Sequence, residues 1–312
     1  MKICLIFNPQ AGTADRIKDV LQHLTGGDRC ELRPTSRTAM AGQIARQAVD
    51  EGFDRIVVAG GDGTISDAVN GIAPDFDAAE LAVLPFGTGN DLARALGFLA
   101  EQLDVACSRA FDSHLEKVDV IRMTSEENTS YCINVANGGL GGRVAVDVRA
   151  EDKQRWGPVA YWMTSVSRLA SLPHFHLHLQ MDEQTINMDV LGVAVANGRF
   201  IGGGFPIAPL ALLNDGLMDI TICPVLPTFE LMAAGINFML GGEHPDERIQ
   251  QYQARHVHIQ SETDMPFSID GETSCRVDAT FDVIPAALKM VVGRDAPGLQ
   301  PHSAENINVS ES

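Results

Sequence analysis

Along the first third of the chain, apolar residues fall into short unbroken runs separated by stretches where they recur every three or four positions. Lys2–Asn8, Ile56–Ala59 and Leu81–Leu84 are the runs, and their length predicts buried strands. Ile17, Val20, Leu21 and Leu24 recur at helical spacing, as do Met40, Ile44, Ala45 and Ala48, with a further strand near Cys30–Arg33 between the two sets. Helical segments are expected at Ile65–Asn70 and after Asn90, which stands where a cap would precede Leu92, Ala93 and Leu96. Strands alternating with helices to about Arg122 predict an α/β unit built on a doubly wound parallel sheet.

The rhythm then changes. A polar run, Ser125–Ser130, suggests a hairpin tip, and strand patterns dominate beyond it: Tyr131–Ala136, His174–Met181, Val190–Asn197, Met218–Cys223, His256–Gln260, Phe267–Asp270, Thr280–Ile284 and Leu288–Val292. Helical insertions are expected near Val159–Leu172 and Thr228–Leu240. This half reads as a mostly antiparallel, sandwich-like β unit packed against the first, with an active site in the cleft between them. The expected division is 1–123 for a nucleotide-binding unit, 124–292 for a β-rich substrate unit, and 293–312 for a polar tail, frayed or packed back on the first unit.

Three loops follow strand C-termini in the α/β half, the edge where ligands bind in such sheets. They are Asn8-Pro9-Gln10-Ala11-Gly12, Gly60-Gly61-Asp62-Gly63-Thr64 and Pro85-Phe86-Gly87-Thr88-Gly89-Asn90-Asp91. The three glycines around Asp62 let backbone N–H groups approach a ligand that any Cβ would block. A helix N-terminus behind them adds partial positive charge suited to phosphate. Asp62 would repel a bare phosphate, so its presence makes sense with a divalent cation between carboxylate and phosphate, as nucleotide-dependent phosphoryl transfer requires. The alternative for the turn alone is a tight connection in which Asp62 caps the next helix.

Composition narrows the class. The chain has 312 residues, 45% hydrophobic and 21% charged, enough for two cores. No apolar run approaches the roughly 18 residues a membrane-spanning helix needs, and Met1-Lys2-Ile3-Cys4 enters a strand directly without a secretory signal pattern. Six scattered cysteines without a Cys-x-x-Cys pair predict free thiols in a reducing cytoplasm. A net charge of −18 argues against a nucleic-acid partner and against electrostatic adhesion to an anionic bilayer. Whether the chain forms a homodimer is left open.

Other signals carry two readings each. His174, His176 and His178 alternate along a strand, which suits either zinc chelation or the wet face of an amphipathic strand whose Phe175, Leu177 and Leu179 face the core. Gly138-Gly139-Leu140-Gly141-Gly142 is either a flexible bend or the lining of the cleft. Arg155, Trp156, Tyr161 and Trp162 fit core packing or a lipid-facing helix end.

Together, Asn8-Pro9-x-x-Gly12, Gly60–Thr64, Pro85-x-Gly87-Thr88-x-Asn90-Asp91, Gly202-Gly203-Gly204, Asp215-Gly216 and Asp270-Gly271-Glu272 resemble the bacterial diacylglycerol-kinase-like lipid kinases, with sphingosine kinases as more distant relatives. The likeness runs from residue 1 to about 292, with Ala11 where that family usually has serine. It implies an ATP-dependent kinase that phosphorylates a hydroxyl of a membrane lipid (diacylglycerol, phosphatidylglycerol or similar), acting from the cytoplasm and meeting the bilayer transiently. It further implies that Asn8, Thr38, Gly61, Gly63, Thr64 and Thr88 hold nucleotide, that Asp62 and Asp91 hold Mg²⁺ through water, and that Glu272 is the general base, with Asp270 on the same strand face. A second structural Mg²⁺ or Ca²⁺ is implied at Asp215 and the carbonyls of Leu212 and Leu217. An NAD kinase-like phosphotransferase and a catalytically silent nucleotide-binding regulator are the rival readings.

Overall fold

A computed structural model describes residues 1–9, 30–36, 40–98, 108, 110, 114–126, 128–139, 174–239, 247–270, 272–275, 278–294 and 296–299. The expected helices around Ile17–Leu24 and Val159–Leu172 lie outside these residues, as do Thr38, Arg155, Trp156, Tyr161 and Trp162.

Unbroken apolar runs become parallel strands, as their two-sided burial requires. β1 (Ile3–Phe7) lies between β2 (Cys30–Pro34) and β3 (Arg55–Gly60), and β3 pairs with β4 (Glu80–Pro85), all parallel. α1 (Ala41–Asp50) and α2 (Asp62–Ile72) pack against this sheet through Ile44, Ala45, Ala48, Ile65, Ala68 and Val69. The two helices approach closely because glycines face each other, and a Cβ on Gly71 would stand 2.0 Å from the Gly42 carbonyl oxygen. The helix after β3 begins at Asp62, three residues before the apolar spacing predicted, so the motif itself forms its first turn.

The second half is antiparallel. β5 (Leu115–Ser125) turns back as β6 (Thr129–Cys132), placing the hairpin tip in the predicted polar run. The single strand expected at Tyr131–Ala136 is broken at Ile133 and Asn134 and resumes as β7 (Val135–Gly139). The break has a clear cause, because the buried Asp270 carboxylate takes the N–H groups there. β8 (Phe175–Met181), β9 (Gln184–Ala196), β10 (Met218–Pro224), β11 (Gln250–Ala254), β12 (His256–Ser261), β13 (Pro266–Ile269) and β14 (Glu272–Cys275) come next, with α3 (Asp91–Ala95) and α4 (Thr228–Met239) as the remaining helices among the described residues. β11 is Gln-Gln-Tyr-Gln-Ala, too polar to register as a strand from its sequence.

β15 (Asp278–Val291) joins the halves. It replaces the two strands expected at Thr280–Ile284 and Leu288–Val292, which are one strand with a register shift between Ile284 and Leu288. Its Phe281 sits in the core beneath the antiparallel strands with Leu179, Ile220 and Phe267. Its Leu288, Met290 and Val291 sit in the other core with Leu81, Val83 and Ile6. Parallel pairing of Met290 with Leu81 makes one continuous sheet of the 15 strands among the described residues, parallel at the N-terminal end and antiparallel beyond.

A buried carboxylate fixes that junction. Asp119 on β5 accepts N–H bonds from Gly216 and Ala286, each at 2.6 Å, and its own N–H donates to the Leu213 carbonyl at 2.6 Å. Past β15 the chain returns to α3, where Gly293 N–H donates to Leu96 and Gly298 N–H to Ala95.

Another interior carboxylate offers a test. Asp219 on β10 is 9% exposed, and the Gln253 side-chain amide donates to it from 3.4 Å. Burial raises its pKa from 3.8 to about 6, with Asp215 adding to the rise and Arg199 opposing it. The neutral form therefore favours the folded state, a contribution fully present below pH 3.8 and lost as pH rises through about 6. Asp219→Asn should raise stability at pH 7.5 by on the order of 1 kcal/mol. Thermal melts should show that gain shrinking toward pH 4, and a gain independent of pH would contradict the assignment.

Candidate active site

The site forms where β3 and β4 end side by side, with Gly60 opposite Pro85. The next residues bring two turns into backbone contact. A Cβ on Gly87 would lie 2.3 Å from the Gly61 Cα, and one on Gly61 would lie 3.1 Å from the Gly87 Cα. No real Cβ fits the first gap, so Gly87 is required by its neighbour's backbone.

Gly61 caps α2 from an extended conformation (φ −94°, ψ −178°) and Asp62 is the first helical residue, so Asp62 does not act as the cap. Its Oδ1 instead accepts the Leu92 N–H at the start of α3, at 3.2 Å. Asn90 stands at the N-cap position of α3, as expected, but its side chain makes no capping bond. It is left-handed (φ 54°, ψ 40°), and its side chain accepts from Gly87 N–H at 2.8 Å and donates to Gly87 O at 2.7 Å. That closed loop sets Asp91 at the head of α3, 4% exposed.

The two carboxylates border the same point. A Cβ on Gly89 would stand 2.7 Å from Asp62 Oδ2 and 3.4 Å from Asp91 Oδ2. Burial pushes the Asp91 pKa to about 6, and the charge of Asp62 adds to the rise against the pull of Gly203, Gly204 and Arg94. Burial also raises the pKa of Asp62, opposed by amides at the start of α3. Two adjacent carboxylates, both raised in pKa by burial, fit a divalent hard cation, which relieves both penalties at once. Beside them a Cβ on Gly63 would meet nothing within 4 Å, so open space lies over the first turn of α2.

The second half closes over this point through Gly202-Gly203-Gly204, all at positive φ (63°, 95° and 106°). Gly203 N–H donates to both Asp91 oxygens, at 3.1 and 3.0 Å, and Gly204 N–H donates to Oδ1 at 2.7 Å. The motif is thus brought to Asp91, a partnership no local spacing reveals.

The remaining predicted residues sit around this centre or beyond it. Asn8 directly follows β1 in the neighbouring position, its N–H donating to Ala59 O at 3.3 Å. Thr64 lies back over Gly60, where a Cβ would stand 2.9 Å from its Oγ1, and Thr88 is exposed. Asp215 Oδ1 accepts Leu217 N–H at 2.9 Å across the turn from Leu212, beside the Asp119 junction. Asp119 itself escapes a reading of the sequence, although a carboxylate inside Val118-Asp119-Val120 is the signal that could have found it.

Asp270 and Glu272 do not share a strand face. Ile269 pairs with Glu272 across a tight turn whose first residue, Asp270, has φ 47°. The Asp270 carboxylate is buried and accepts N–H bonds from Ile133, Asn134 and Val135 at 2.9–3.0 Å and the Cys132 thiol at 3.3 Å. Those are the amides missing from the β6–β7 break. Glu272 opens the edge strand β14 just beyond this anchor.

The histidines form the polar face of the sheet. His176 meets Asp189 at 2.9 Å and His178 meets Asn187, and among the described residues no three His, Cys, Asp or Glu could hold a metal together. Gly138 packs under Phe267, where a Cβ would lie 2.4 Å from its ring, so it is a packing glycine of β7. Cys4, Cys30, Cys132 and Cys223 are free thiols.

A glycine cradle at a helix N-terminus, next to paired acids at the C-terminal edge of a parallel sheet, suits the phosphates of a nucleotide, and a kinase is the class this fold and site define. The diacylglycerol kinase catalytic domain family matches residues 2–123, and the YegS C-terminal NAD kinase beta sandwich-like domain matches residues 134–292. The chain belongs to the diacylglycerol-kinase-like lipid kinases. It is 30% identical to the "Diacylglycerol kinase" of Bacillus subtilis over 273 residues, 86% of this chain and 88% of that one. It is 29% identical to the "Probable lipid kinase YegS-like" of Stenotrophomonas maltophilia over 299 residues, 94% and 96% of the two chains. A crystal structure of a diacylglycerol kinase from Bacillus anthracis shares the fold, with a TM-score of 0.76 at 24% identity over 94% of this chain and 97% of that one. An NAD kinase from Archaeoglobus fulgidus in complex with ATP shares it more loosely, with a TM-score of 0.53 at 14% identity over 94% and 95%. Among the described residues no helix is long and apolar enough to cross a membrane.

The glycines give a paired test. Gly87→Ala should cost about 1–3 kcal/mol, because the new methyl strikes backbone that cannot yield. Gly63→Ala should leave the melting temperature unchanged or slightly raised, since its Cβ meets nothing and favours helix. Melting both variants beside wild type checks the contrast, and equal losses would refute it.

Proposed function

We propose that this kinase transfers the γ-phosphate of ATP to a hydroxyl of a membrane lipid, in a cleft between the α/β unit of residues 1–123 and the β-rich unit of residues 124–292. The observation that carries the reading is the Asp62–Asp91 pair bordering one point beside the open first turn of α2. Asn8, Thr38, Gly61, Gly63, Thr64 and Thr88 bind the nucleotide, mainly through backbone amides and hydroxyls. Asp62 and Asp91 hold Mg²⁺ through water, which when bound neutralises charge on the phosphoryl oxygens.

Glu272 is the general base. Its carboxylate takes the proton of the lipid hydroxyl as that oxygen bonds to the γ-phosphorus, while the bond to the β–γ bridging oxygen breaks and its electron pair leaves with ADP. The Asp270 anchor fixes the backbone one turn before the base. The acceptor class is a bilayer lipid such as diacylglycerol or phosphatidylglycerol, reached from the cytoplasm by transient contact.

Purified protein incubated with labelled ATP, Mg²⁺ and mixed micelles of diacylglycerol, phosphatidylglycerol or a sphingoid base, with NAD in a parallel reaction, tests the reading. Labelled phospholipid is the expected product, and labelled NADP alone would transfer the assignment to the NAD kinases. Asp62→Asn should abolish transfer with the fold intact. Glu272→Gln should lower kcat by roughly 10²–10⁴-fold with little change in nucleotide affinity, and an equal loss of ATP binding would remove it from the role of base.

Asp215, with the carbonyls of Leu212 and Leu217, holds a second, structural Mg²⁺ or Ca²⁺. A cation bound only to the folded state raises the melting temperature with its concentration. Asp215→Ala should lose that rise at millimolar Mg²⁺ or Ca²⁺, and an unchanged metal response would end the assignment.

A further inference from the structure

The Gly202–Gly204 loop bonds a carboxylate in the way backbone bonds phosphate. Consecutive N–H groups of Gly203 and Gly204 converge on Asp91 with three contacts of 2.7–3.1 Å. Such paired amides, turned to one side by positive φ, form a concave anion site. A second observation marks this place as electropositive. Arg94 lies against Gly204, whose Cβ would be 3.5 Å from the guanidinium Nε, and that Nε is buried without a hydrogen-bond partner. A buried guanidinium nitrogen left without a hydrogen-bond partner beside two convergent amides is a donor to which a further anionic oxygen could bond. Gly202 adds room, since a Cβ there would meet nothing within 4 Å.

The loop also faces the phosphate side of the site. A Cβ on Gly203 would be 3.8 Å from Gly89 Cα, and Gly89 in turn borders both Asp62 and Asp91. The three amide contacts engage both Asp91 oxygens and leave about one of the carboxylate's four acceptor positions for the hydration shell of a cation. The two partners therefore compete for one carboxylate.

We propose that the Gly203–Gly204 amides, with Arg94, form an anion site that Asp91 fills in the absence of nucleotide and that the transferred phosphoryl group fills when nucleotide is bound. The inference rests on the phosphoryl-transfer reading of this site. With nucleotide bound, Asp91 would turn from the glycine amides toward the Asp62 side, and the vacated amides would meet the oxygens of the terminal phosphoryl group. Those oxygens gain charge density in transfer, so preorganised N–H donors aimed at them stabilise the transition state. The exchange also links the halves to the ligand, because the loop belongs to the β-rich half while Asp91 heads α3.

Amide spectra of the full chain labelled with ¹⁵N-glycine test the exchange directly. The sequence has 29 glycines, and single alanine variants assign Gly61, Gly63, Gly203 and Gly204. With Mg²⁺ and the non-hydrolysable analogue AMP-PNP, the Gly203 and Gly204 signals should shift together with those of Gly61 and Gly63. With Mg²⁺ and ADP, which lacks the terminal group, Gly61 and Gly63 should shift and the Gly203 and Gly204 signals should not reach their AMP-PNP positions. In Asp91→Ala, millimolar inorganic phosphate should shift Gly203 and Gly204 saturably, as it should not in wild type. Shifts of Gly61 and Gly63 with AMP-PNP while Gly203 and Gly204 stay at their nucleotide-free positions would overturn the exchange and leave the kinase reading standing. No shift at any of the four would overturn the nucleotide site and the exchange with it.

Discussion

The backbone contact between Gly61 and Gly87 is the constraint on which the site depends. It lets the turns after two parallel strands touch, and so sets the spacing of the acids that come after each turn. Asp62 and Asp91 are each one or a few residues downstream, heading α2 and α3. A methyl group at the contact would push those helix starts apart. The acid pair is then tuned by its surroundings, since burial raises both pKa values and the Asp62 charge raises that of Asp91 further. The site is electrostatically loaded before any ligand arrives, the condition in which a cation binds most favourably.

The β-rich half is positioned against that pair by carboxylates bonded to backbone amides. Asp91 reaches the Gly203–Gly204 loop, Asp119 ties the β15 shift to the Gly216 turn, and Asp270 gathers the amides of Ile133, Asn134 and Val135. Asn70 on α2 adds a neutral version, donating to Tyr131 O at 2.8 Å and accepting Tyr131 N–H at 2.9 Å. A buried carboxylate bonded by N–H groups on both oxygens, as Asp119 and Asp270 are, specifies one arrangement, because a slip would strand charge in the interior.

Much of this is legible in the residues. The parallel sheet comes from runs such as Ile56–Ala59, and the acid pair from glycines around Asp62 and before Asp91. Local patterns cannot supply partnership between distant segments. Asp270 reads as a neighbour of Glu272 on one strand, yet it is a turn residue buried against a segment more than a hundred positions earlier. Gly202-Gly203-Gly204 reads as one motif among several, and only the fold shows the carboxylate it holds. Asn90 reads as a helix cap, but its amide pairs better with Gly87 in a left-handed turn. β11 is invisible in the pattern because its pairing with β10 is carried by backbone and glutamines, with no apolar alternation to see.

The path of β15 has a consequence for synthesis. The parallel strands β1 to β4 are made before β15, but among the described residues the far edge of β4 is covered by the end of β15, and the core beneath them is completed by Leu288, Met290 and Val291. While the chain grows from the ribosome, that edge stays unpaired until almost the whole sequence has emerged. An open parallel edge is a template for wrong pairing, and contacts this distant in sequence are slow to close. β15 is thus the strand that seals the first part folded, and a nascent chain stalled before it carries an exposed, adhesive flank beside an otherwise assembled glycine cradle.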